Sequence, residues 1–380
     1  MSERRFFGGD CAMLVLIAAL TVAVIVGLAE GGARVLFSER EDSCVSVKGF
    51  VPNCTSVQKV AEGPLVTNHY NECGYRTAEP CGSKPAGAIR VAVVGTSISR
   101  GYAVAYEDSF AARASADLSR LCGRPVEFQN VGIAWGATDG PAWEQFDDRV
   151  EEAYRLQPNL VMFVLAPWDI WKYRGAQGEA PAAPAPRRFE RWPFYSTLHQ
   201  VAEYARRVRE QSRAVLVLRH LVYLDRDTFV RRYLMNGDES DYLRTPLSDP
   251  WRRRLQFVDG LLDKLARESE QAKVPNVVVY VPFAPQVILA ASNPVEPGIE
   301  PLAFDRAIGR ISASRGSQYI DVLRPMSRRP RPADMYYSVN GHPNAQGHEV
   351  IAQAVVSGLL SNAAFSSCES ANAVGTVGFH

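Results

Sequence analysis

The sequence lacks an excess of charge of either sign, and it lacks the compositional bias of a disordered or fibrous chain. Its 380 residues include 42 Lys and Arg against 41 Asp and Glu, which gives a net charge of +1. No overall field would therefore recruit nucleic acid, and nucleic acid is not expected as a partner. Hydrophobic residues make up 47% and charged residues 22% of the chain. These proportions are those of a globular protein, and the length permits a sizeable core.

The sequence also lacks an internal repeat and any pattern of metal ligands. No cysteine pair has the CxxC spacing, and no cysteine–histidine array has the spacing of a zinc site. His69, His199 and His220 have no partner at metal or catalytic spacing. A metal centre is therefore not expected.

Charge is absent from one long stretch near the N-terminus. Residues 11–29 contain no charged side chain, and Thr21 is their one appreciably polar residue. As a helix, they span roughly 28 Å, about the thickness of the hydrocarbon core of a bilayer. The apolar region of a signal peptide is normally shorter, although the small residues Gly27 and Ala29 leave cleavage after Ala29 as an alternative. We predict an uncleaved transmembrane anchor over residues 11–29 after a short cytoplasmic tail at residues 1–10.

Basic residues do not settle the orientation of this span, because Arg4 and Arg5 precede it while Arg34 and Arg40 follow it closely. The cysteines favour one orientation. Of the seven, Cys11 lies in the span and an even six lie beyond it. An even number suits an oxidising compartment, with free buried thiols as the alternative. We therefore predict a single-pass membrane protein whose main domain lies outside the cytoplasm, in the periplasm if the source is bacterial.

Beyond an irregular, cysteine-containing extension at residues 30–87, apolar strands alternate with helices. This alternation predicts an α/β domain over residues 88–361, in which helices cover both faces of a parallel sheet. A long insertion at about residues 174–270 contains a Pro/Ala run and helical stretches, and residues 362–380 form a predicted disordered tail. The predicted strands are 89–94, 126–131, 159–165, 277–281 and 318–322, and the predicted helices include 109–121, 195–224, 251–270 and 344–360.

Residues suited to catalysis stand at the edge of this sheet where ligands bind, beyond the carboxyl ends of the strands. Ser97 stands on a tight, glycine-flanked turn after the first strand, which exposes its hydroxyl and places its N–H near a helix N-terminus. Gly136, after the second strand, can offer a backbone N–H to an oxyanion. His342, just ahead of the last helix, can reach a serine at the end of the first strand. Together they indicate a nucleophile with its base, whereas each alone is also consistent with a structural role.

Several segments resemble, in order and content, the sequence blocks of the SGNH (GDSL-type) hydrolase family. The resemblance covers about residues 66–360, apart from the insertion. The matching segments are residues 95–101, which fit Gly-Asp-Ser-Leu-[Ser/Thr]-x-Gly with Thr96 in place of Asp; Asn130, Gly132 and Gly136; residues 342–348, which read His-Pro-Asn-Ala-Gln-Gly-His; and residues 71–76, which fit the Asn-x-x-Gly-[Tyr/Phe]-Arg stretch of many membrane-anchored members.

The resemblance implies a three-layer α/β/α sandwich around a five-stranded parallel sheet, of the flavodoxin-like kind. Ser97 would be the nucleophile and His342 the general base, and the N–H groups of Ser97 and Gly136 would stabilise the oxyanion. Members of the family cleave or transfer acyl groups on esters, often acetyl groups on glycans, without a metal or an organic cofactor.

Two positions depart from the family's pattern. Trp168 stands where an asparagine normally donates a further hydrogen bond to the oxyanion, and the loss of one such donor can cost ~10²–10³ in rate. Asn340 stands two residues before His342, where the acid of the triad is common. An amide can orient the imidazole but cannot stabilise an imidazolium, and in serine proteases the comparable change costs ~10⁴. Asp334 is an alternative acid nearby in the sequence.

Tryptophans are concentrated in the predicted loops at this edge of the sheet. Trp135, Trp168 and Trp171 fall there, out of 6 tryptophans in the chain. Aromatic side chains at such a place can stack on sugar rings, and ordinary packing is the alternative. We predict that Trp135, Trp168 and the neighbouring Asp169 contact the substrate.

The six cysteines beyond the span are predicted to form three disulfides. Two pairs are close in sequence within the extension. With the sheet order 2-1-3-4-5, the first and last helices lie on one face and their C-termini meet at the edge opposite the site, which brings the remaining two cysteines together. The predicted pairs are Cys44 with Cys54, Cys73 with Cys81, and Cys122 with Cys368.

Two functions are therefore consistent with the sequence. The first is a serine esterase or acyltransferase outside the cytoplasm, which forms an acyl-enzyme on Ser97 with an acylated glycan or a small ester. The alternative is a non-catalytic SGNH-like protein that binds glycan or helps to assemble the cell envelope, and Trp168 and Asn340 motivate it. The retained Ser97, Gly136 and His342 favour the first. The lipid bilayer is expected as a partner through the N-terminal helix, and the sequence indicates no particular protein partner.

Overall fold

The structure is a computed structural model that describes residues 6–46, 49–132, 145–173, 203, 206, 211–292 and 296–368. Its contacts divide the chain into two compact units, residues 1–39 with 181–224 and residues 40–180 with 225–380. The predicted insertion is shared between them, because its residues 181–224 belong to the first unit and the remainder to the second.

The described residues form nine strands and eleven α-helices. The strands are β1 (Val45–Ser46), β2 (Gly49–Phe50), β3 (Thr55–Gln58), β4 (Val66–His69), β5 (Ile89–Gly95), β6 (Val126–Gly132), β7 (Leu160–Leu165), β8 (Asn276–Tyr280) and β9 (Gln318–Asp321). The helices are α1 (Phe6–Leu36), α2 (Phe110–Cys122), α3 (Phe146–Arg155), α4 (Pro167–Trp171), α5 (Arg213–Tyr223), α6 (Arg226–Leu234), α7 (Asp249–Ala272), α8 (Ala284–Ala291), α9 (Ala303–Ser314), α10 (Leu323–Ser327) and α11 (Ala345–Leu360).

The first unit contains α1 and α5. Within α1, Cys11–Leu36 is long and apolar enough to cross a membrane. The carboxylate of Glu30, near the end of α1, accepts hydrogen bonds from Ser212 Oγ at 2.8 Å and from the N–H groups of Arg213 and Ala214 at 3.1 and 3.0 Å. A carboxylate at this place satisfies N–H groups that the first turn of α5 leaves unpaired.

The extension that the sequence predicts to be irregular contains two small antiparallel sheets, formed by β1 with β2 and by β3 with β4. Their strands have two or four residues, too few for a clear alternation of apolar and polar side chains. Asp42 is buried beside them and accepts hydrogen bonds from Ser56, Asn68 and Tyr70. Burial raises the pKa of Asp42, but the hydrogen bonds from Ser56 and Tyr70 hold it below its ordinary value.

The second unit is built on a parallel five-stranded sheet with the order β6-β5-β7-β8-β9, which is the predicted 2-1-3-4-5 arrangement. The register pairs Gly95 of β5 with Gly132 of β6, and Val91 of β5 with Leu160 of β7. Every residue of β7 and β8 is buried. Strands whose two faces are both covered consist of nearly continuous apolar residues, which is why the sequence indicates them clearly. The predicted fold class is confirmed.

Helices cover both faces of the sheet, and successive residues of β5 point to opposite faces. On one face, β5 residues such as Val91 and Val93 share a core with residues of α2 and α11. On the other face, Ala92 and Val94 share a core with residues of α3, α7 and α9. This packing fixes the carboxyl ends of β5, β6 and β7, and with them the loops that carry the site.

The structure joins the cysteines in the three predicted pairs. The disulfide between Cys122 and Cys368 ties the end of α2 to the segment that follows α11. Phe365 and Cys368 are fully buried, so the chain stays packed beyond residue 362, where the sequence predicts a disordered tail. An apolar side chain and a disulfide hold this segment in place. Residues 369–380 of the predicted tail lie outside the described residues.

Candidate active site

Three side chains form a hydrogen-bonded series at the carboxyl edge of the sheet. Ser97 Oγ lies 2.7 Å from His342 Nε2, and His342 Nδ1 lies 2.7 Å from Asn340 Oδ1. Because the amide oxygen can only accept, Nδ1 carries the proton of the neutral ring and Nε2 accepts the hydrogen bond from the Ser97 hydroxyl. The geometry is that of a serine–histidine–acid triad with an amide in the position of the acid.

Ser97 projects from a tight turn directly after β5, which we call the nucleophile turn (residues 96–102). Tyr102 N–H donates to the Ser97 carbonyl at 3.0 Å, and Ser99 Oγ donates to the Thr96 carbonyl at 2.7 Å. Gly101 has φ of +72°, and a Cβ there would lie 2.6 Å from Ser109 Cβ. The turn therefore requires glycine at this position.

Asp169 lies beneath the nucleophile turn. Thr96 Oγ1 donates to Asp169 Oδ1 at 2.6 Å, and the Ala166 N–H donates to Asp169 Oδ2 at 3.0 Å. The side chain ties the ends of β5 and β7 together, and its residue is only 3% exposed. Burial raises the pKa of Asp169 to about 6, although the hydrogen bonds from Thr96 and Ala166 oppose the shift. This contact differs from the predicted role in substrate binding, because the buried carboxylate is occupied within the protein.

Arg76, the last residue of the resembling stretch 71–76, supports the nucleophile turn. The buried guanidinium of Arg76 donates to the carbonyls of Arg100 and Gly101 at 2.9 and 2.6 Å and to that of Val104 at 2.7 Å. Buried carbonyls need hydrogen-bond partners, and the Arg76 guanidinium supplies them in this turn. Burial lowers the pKa of Arg76 to about 10. The motif around Arg76 is visible in the sequence, but the partners of its side chain leave no pattern there.

His342 lies in a second loop, which we call the histidine loop (residues 336–343). Tyr337 N–H donates to the His342 carbonyl at 3.0 Å, and Gly341 N–H donates to the Tyr337 carbonyl at 2.8 Å. Gly341 has φ of +81°, which allows the reversal between Asn340 and His342. The ring of Tyr102 packs 4.7 Å from the His342 ring, centroid to centroid.

The surroundings of His342 favour its neutral form. Burial lowers the pKa of His342 to about 4, and the nearby Arg100 guanidinium acts in the same direction. A neutral imidazole is the form that can accept a proton. Asp334, the alternative acid, forms an ion pair with Arg331 at 3.0 Å. In the described residues, the partner of His342 Nδ1 is thus Asn340 and not Asp334.

His348, the last residue of the matching segment 342–348, lies apart from the series of Ser97, His342 and Asn340. His348 is fully buried at the start of α11, and its Nδ1 accepts the N–H of Phe110 at 3.2 Å. Burial lowers the pKa of His348 to about 3. It holds the first turn of α2 as a neutral side chain and takes no part in the series that contains Ser97.

Aromatic side chains gather on α4, which follows β7 at the same edge. The rings of Trp168 and Trp171 lie 5.0 Å apart, and Phe283 lies 6.2 Å from Trp168. Lys172 Nζ lies 4.6 Å from the Trp168 ring centroid. Asp238 accepts the indole N–H of Trp171 at 3.1 Å and so fixes that ring. Trp168 is half-buried, which leaves part of its surface open to a ligand.

Part of the predicted site falls outside the described residues. β6 ends at Gly132, and the side chain of Asn130 donates to the Ser99 carbonyl. Asn130 therefore links the end of β6 to the nucleophile turn. Trp135 and Gly136, predicted as a substrate contact and an oxyanion donor, lie outside the described residues, and both roles stay predictions.

Several solved structures align with most of the domain, each at low similarity. An α/β hydrolase enzyme from the metagenome of Lake Arreo, Spain, has 13% identity and a TM-score of 0.39, over 71% of this chain and 94% of that one. A lipase/acylhydrolase from Enterococcus faecalis has 11% identity and a TM-score of 0.38, over 71% and 95%. A variant of an acetyl-xylooligosaccharide esterase from Geobacillus stearmophilus has 14% identity and a TM-score of 0.39, over 71% and 94%. Similarity at this level carries no conclusion about the substrate.

The family assignment comes from the sequence of the domain. The profile of the GDSL-like lipase/acylhydrolase family matches residues 93–350, which is more than half of the 380 residues. The matched span includes the end of β5, the other four strands of the parallel sheet, the nucleophile turn and the histidine loop. No curated protein matches the chain. The chain belongs to the GDSL-like lipase/acylhydrolase family and is an ester-bond hydrolase.

Proposed function

We propose that this hydrolase is a membrane-anchored serine esterase or acyltransferase, which acts outside the cytoplasm on an ester of a glycan or a similar substrate. The observation that carries the proposal is the series Ser97–His342–Asn340, with two hydrogen bonds of 2.7 Å. In this arrangement a serine hydroxyl can lose its proton to an imidazole as it attacks a carbonyl carbon.

The reaction proceeds through an acyl-enzyme. Ser97 Oγ bonds to the ester carbonyl carbon while His342 Nε2 takes the hydroxyl proton. The N–H groups of Ser97 and Gly136 stabilise the oxyanion that forms. The bond to the alcohol oxygen then breaks, and this oxygen takes the proton from His342. Water or a sugar hydroxyl next attacks the acyl carbon while His342 takes its proton. The bond between this carbon and Ser97 Oγ then breaks, and Oγ takes the proton back from His342.

The amide of Asn340 sets the expected rate. Its Oδ1 fixes the orientation and tautomer of His342 but adds no negative charge when the imidazolium forms. Turnover should therefore be detectable but modest on small activated esters. Trp168 in the position of an oxyanion donor acts in the same direction.

The aromatic side chains on α4 support a substrate with an extended apolar or ring-shaped surface. Trp168 is half-buried beside Trp171 and Phe283, and the fixed indole of Trp171 limits its movement. A half-buried aromatic side chain held in this way can stack on a sugar ring at little cost in side-chain entropy. We assign Trp168 to the substrate on this basis.

The location outside the cytoplasm rests on two features. Cys11–Leu36 is long and apolar enough to cross a membrane. All six cysteines beyond Cys11 are joined in disulfides, which persist in oxidising compartments. An N-terminal anchor with an exported main domain accounts for both features.

The experiment that tests the activity is covalent labelling of the detergent-solubilised full chain with a fluorophosphonate, followed by peptide mapping. We expect the label on Ser97, and we expect measurable hydrolysis of p-nitrophenyl acetate. Ser97→Ala and His342→Ala should each abolish hydrolysis, and the double variant should be no worse, because the two residues act as a unit. His69→Ala, at an exposed histidine outside the site, is the matched control and should retain activity.

Complete inertness of the folded wild type to both reagents would overturn the proposed activity. The non-catalytic alternative would then be tested by the binding of acetylated oligosaccharides to the wild type and to Trp168→Ala. The non-catalytic alternative is favoured by one observation, the Asn340 amide in the position of the triad acid.

A further inference from the structure

Glu62 lies in the loop between β3 and β4, in the extension that precedes the hydrolase domain. Its neighbours Val60 and Ala61 are buried, so the loop is held against the rest of the second unit. A Cβ on Gly63 would lie 3.3 Å from the Tyr337 ring. The loop that carries Glu62 therefore packs directly on the histidine loop.

The carboxylate of Glu62 bonds to the backbone that presents Asn340. Glu62 Oε2 accepts the N–H of Val339 and the N–H of Asn340, both at 2.8 Å. Hydrogen bonds from N–H groups to a carboxylate are stronger than those to a neutral acceptor. The Asn340 side chain in turn accepts from His342 Nδ1 at 2.7 Å. The carboxylate therefore binds the backbone N–H of Asn340, the residue whose side chain holds His342.

Three other carboxylates near the site face arginine side chains. Asp42 faces Arg100 at 3.6 Å, Asp108 bonds to Arg113 at 2.6 Å, and Asp334 bonds to Arg331 at 3.0 Å. Arg100 of the nucleophile turn acts on His342, Glu62 and Asp108 act on Tyr337 of the histidine loop, and Arg76, Arg113 and His342 act on His348. The Arg100 guanidinium disfavours an imidazolium at His342, and a carboxylate bonded to the Asn340 backbone opposes this effect.

We propose that Glu62 is a positioning residue of this active site, whose carboxylate fixes the histidine loop and supplies part of the negative charge that a triad acid would provide to His342. This inference rests on the proposed function of Ser97 and His342. It gives the extension a role in catalysis, because the residue that completes the site lies outside the segment matched by the family.

The test compares Glu62→Gln with Glu72→Gln in the full chain. Both substitutions remove one charge from the extension and keep an amide oxygen as acceptor, and Glu72 accepts the N–H of Cys81 at 2.8 Å. We expect Glu62→Gln to lower kcat on p-nitrophenyl acetate by about tenfold with little change in KM. Because the imidazolium loses a stabilising charge, the acidic limb of kcat/KM should move to lower pH. Glu72→Gln should change neither quantity.

A carboxylate restored at position 340 should replace the charge of Glu62. In the Asn340→Asp background, Glu62→Gln should therefore cost much less than in the wild type, which a double-mutant cycle measures. Equal costs in both backgrounds would count against the proposal. So would a loss of kcat in Glu62→Gln with no movement of the acidic limb, since that result describes a purely structural contact.

A second readout does not depend on turnover. The pKa of His342 is measured by NMR of the full chain with isotope-labelled histidine in the Ser97→Ala background, and His342→Gln identifies the resonance. We expect Glu62→Gln to lower this pKa by about half a pH unit and Glu72→Gln to leave it unchanged. An unchanged pKa in Glu62→Gln would overturn the proposal. An inert wild type in which the pKa still falls would count against the proposed esterase activity alone.

Discussion

At the scale of single residues, Asn340 decides how strongly the imidazolium of His342 is stabilised. Its Oδ1 lies 2.7 Å from His342 Nδ1, so the carboxylate of an aspartate would occupy the same place. A carboxylate stabilises the imidazolium that forms as Ser97 attacks, whereas an amide only orients the ring. We expect Asn340→Asp to raise kcat on p-nitrophenyl acetate by about tenfold or more, measured in steady-state assays, with KM nearly unchanged.

Asp334→Ala is the control for this substitution. The Asp334 carboxylate is paired with Arg331 on the surface, so its removal should leave kcat within about twofold of the wild type. Reduced activity in Asn340→Asp together with complete loss in Asp334→Ala would reverse the assignment and make Asp334 the acid.

The pH dependence of activity follows from the surroundings of His342. Burial, with a smaller effect of Arg100, lowers the pKa of His342 to about 4. Only the neutral ring can accept the Ser97 proton, so kcat/KM is lost as pH falls through this pKa. We expect kcat/KM on p-nitrophenyl acetate to stay level from pH 7 to about 5 and to fall through about pH 4. An acidic limb near pH ~6.5, the value of an unperturbed imidazole, would contradict this prediction.

Folding must be monitored at the same pH values, because the histidines also affect stability. His342 and His348 have folded-state pKa values of about 4 and about 3, below that of an unfolded chain. The unfolded state therefore binds protons first, and stability is lost as pH falls from about 6.5 through these values. Circular dichroism at each pH separates unfolding from protonation of the base.

At the scale of elements, the parallel sheet was predictable because its central strands consist almost entirely of apolar residues. β7 and β8 are buried along their whole length, and the predicted strands 159–165 and 277–281 coincide with them to within one residue at each end. β1 to β4 were not predicted, since strands of two or four residues show too little periodicity. The order of Phe365 and Cys368 also escaped prediction, because a short segment held by one apolar side chain and one disulfide has a polar average composition.

The disulfide between Cys122 and Cys368 should stabilise the domain at the edge opposite the site. It closes a loop with a sequence separation of 246, for which chain entropy sets an upper limit of ~5 kcal/mol. We expect Cys122→Ser and Cys368→Ser to lower Tm by similar amounts, measured by thermal unfolding under non-reducing conditions. Cys11→Ser is the matched control, because Cys11 is an exposed free cysteine, and its Tm should equal that of the wild type.

Peptide mapping without reduction provides the direct check on this pair. The peptides that contain Cys122 and Cys368 should be recovered as one covalently joined species. Alkylation of Cys368 in the unreduced folded protein would contradict the pairing.

At the scale of the whole chain, the site combines predictable and unpredictable contacts. Ser97 and His342 are separated by 245 positions, yet their meeting could be predicted because parallel strands present their carboxyl ends at one edge. The contacts of Arg76 and Glu62 could not, since polar side chains that reach from irregular loops leave no periodic pattern in a sequence. The buried place of Asp169 also could not be predicted, because a carboxylate after a strand is equally suited to a ligand.

The orientation of the whole chain in the membrane can be tested with a reporter fusion. If Cys11–Leu36 anchors the protein with its N-terminus in the cytoplasm, then a phosphatase reporter that is active only outside the cytoplasm should be active when fused after the C-terminus. Fused to a chain without residues 1–36, the same reporter should be inactive, and that chain should keep reduced cysteines because it remains in the cytoplasm. N-terminal sequencing of the exported wild type should find the residues ahead of Cys11 still present. A sequence that begins at residue 30 would show cleavage after Ala29 and replace the anchor with a signal peptide, while an inactive full-length fusion would place the main domain in the cytoplasm.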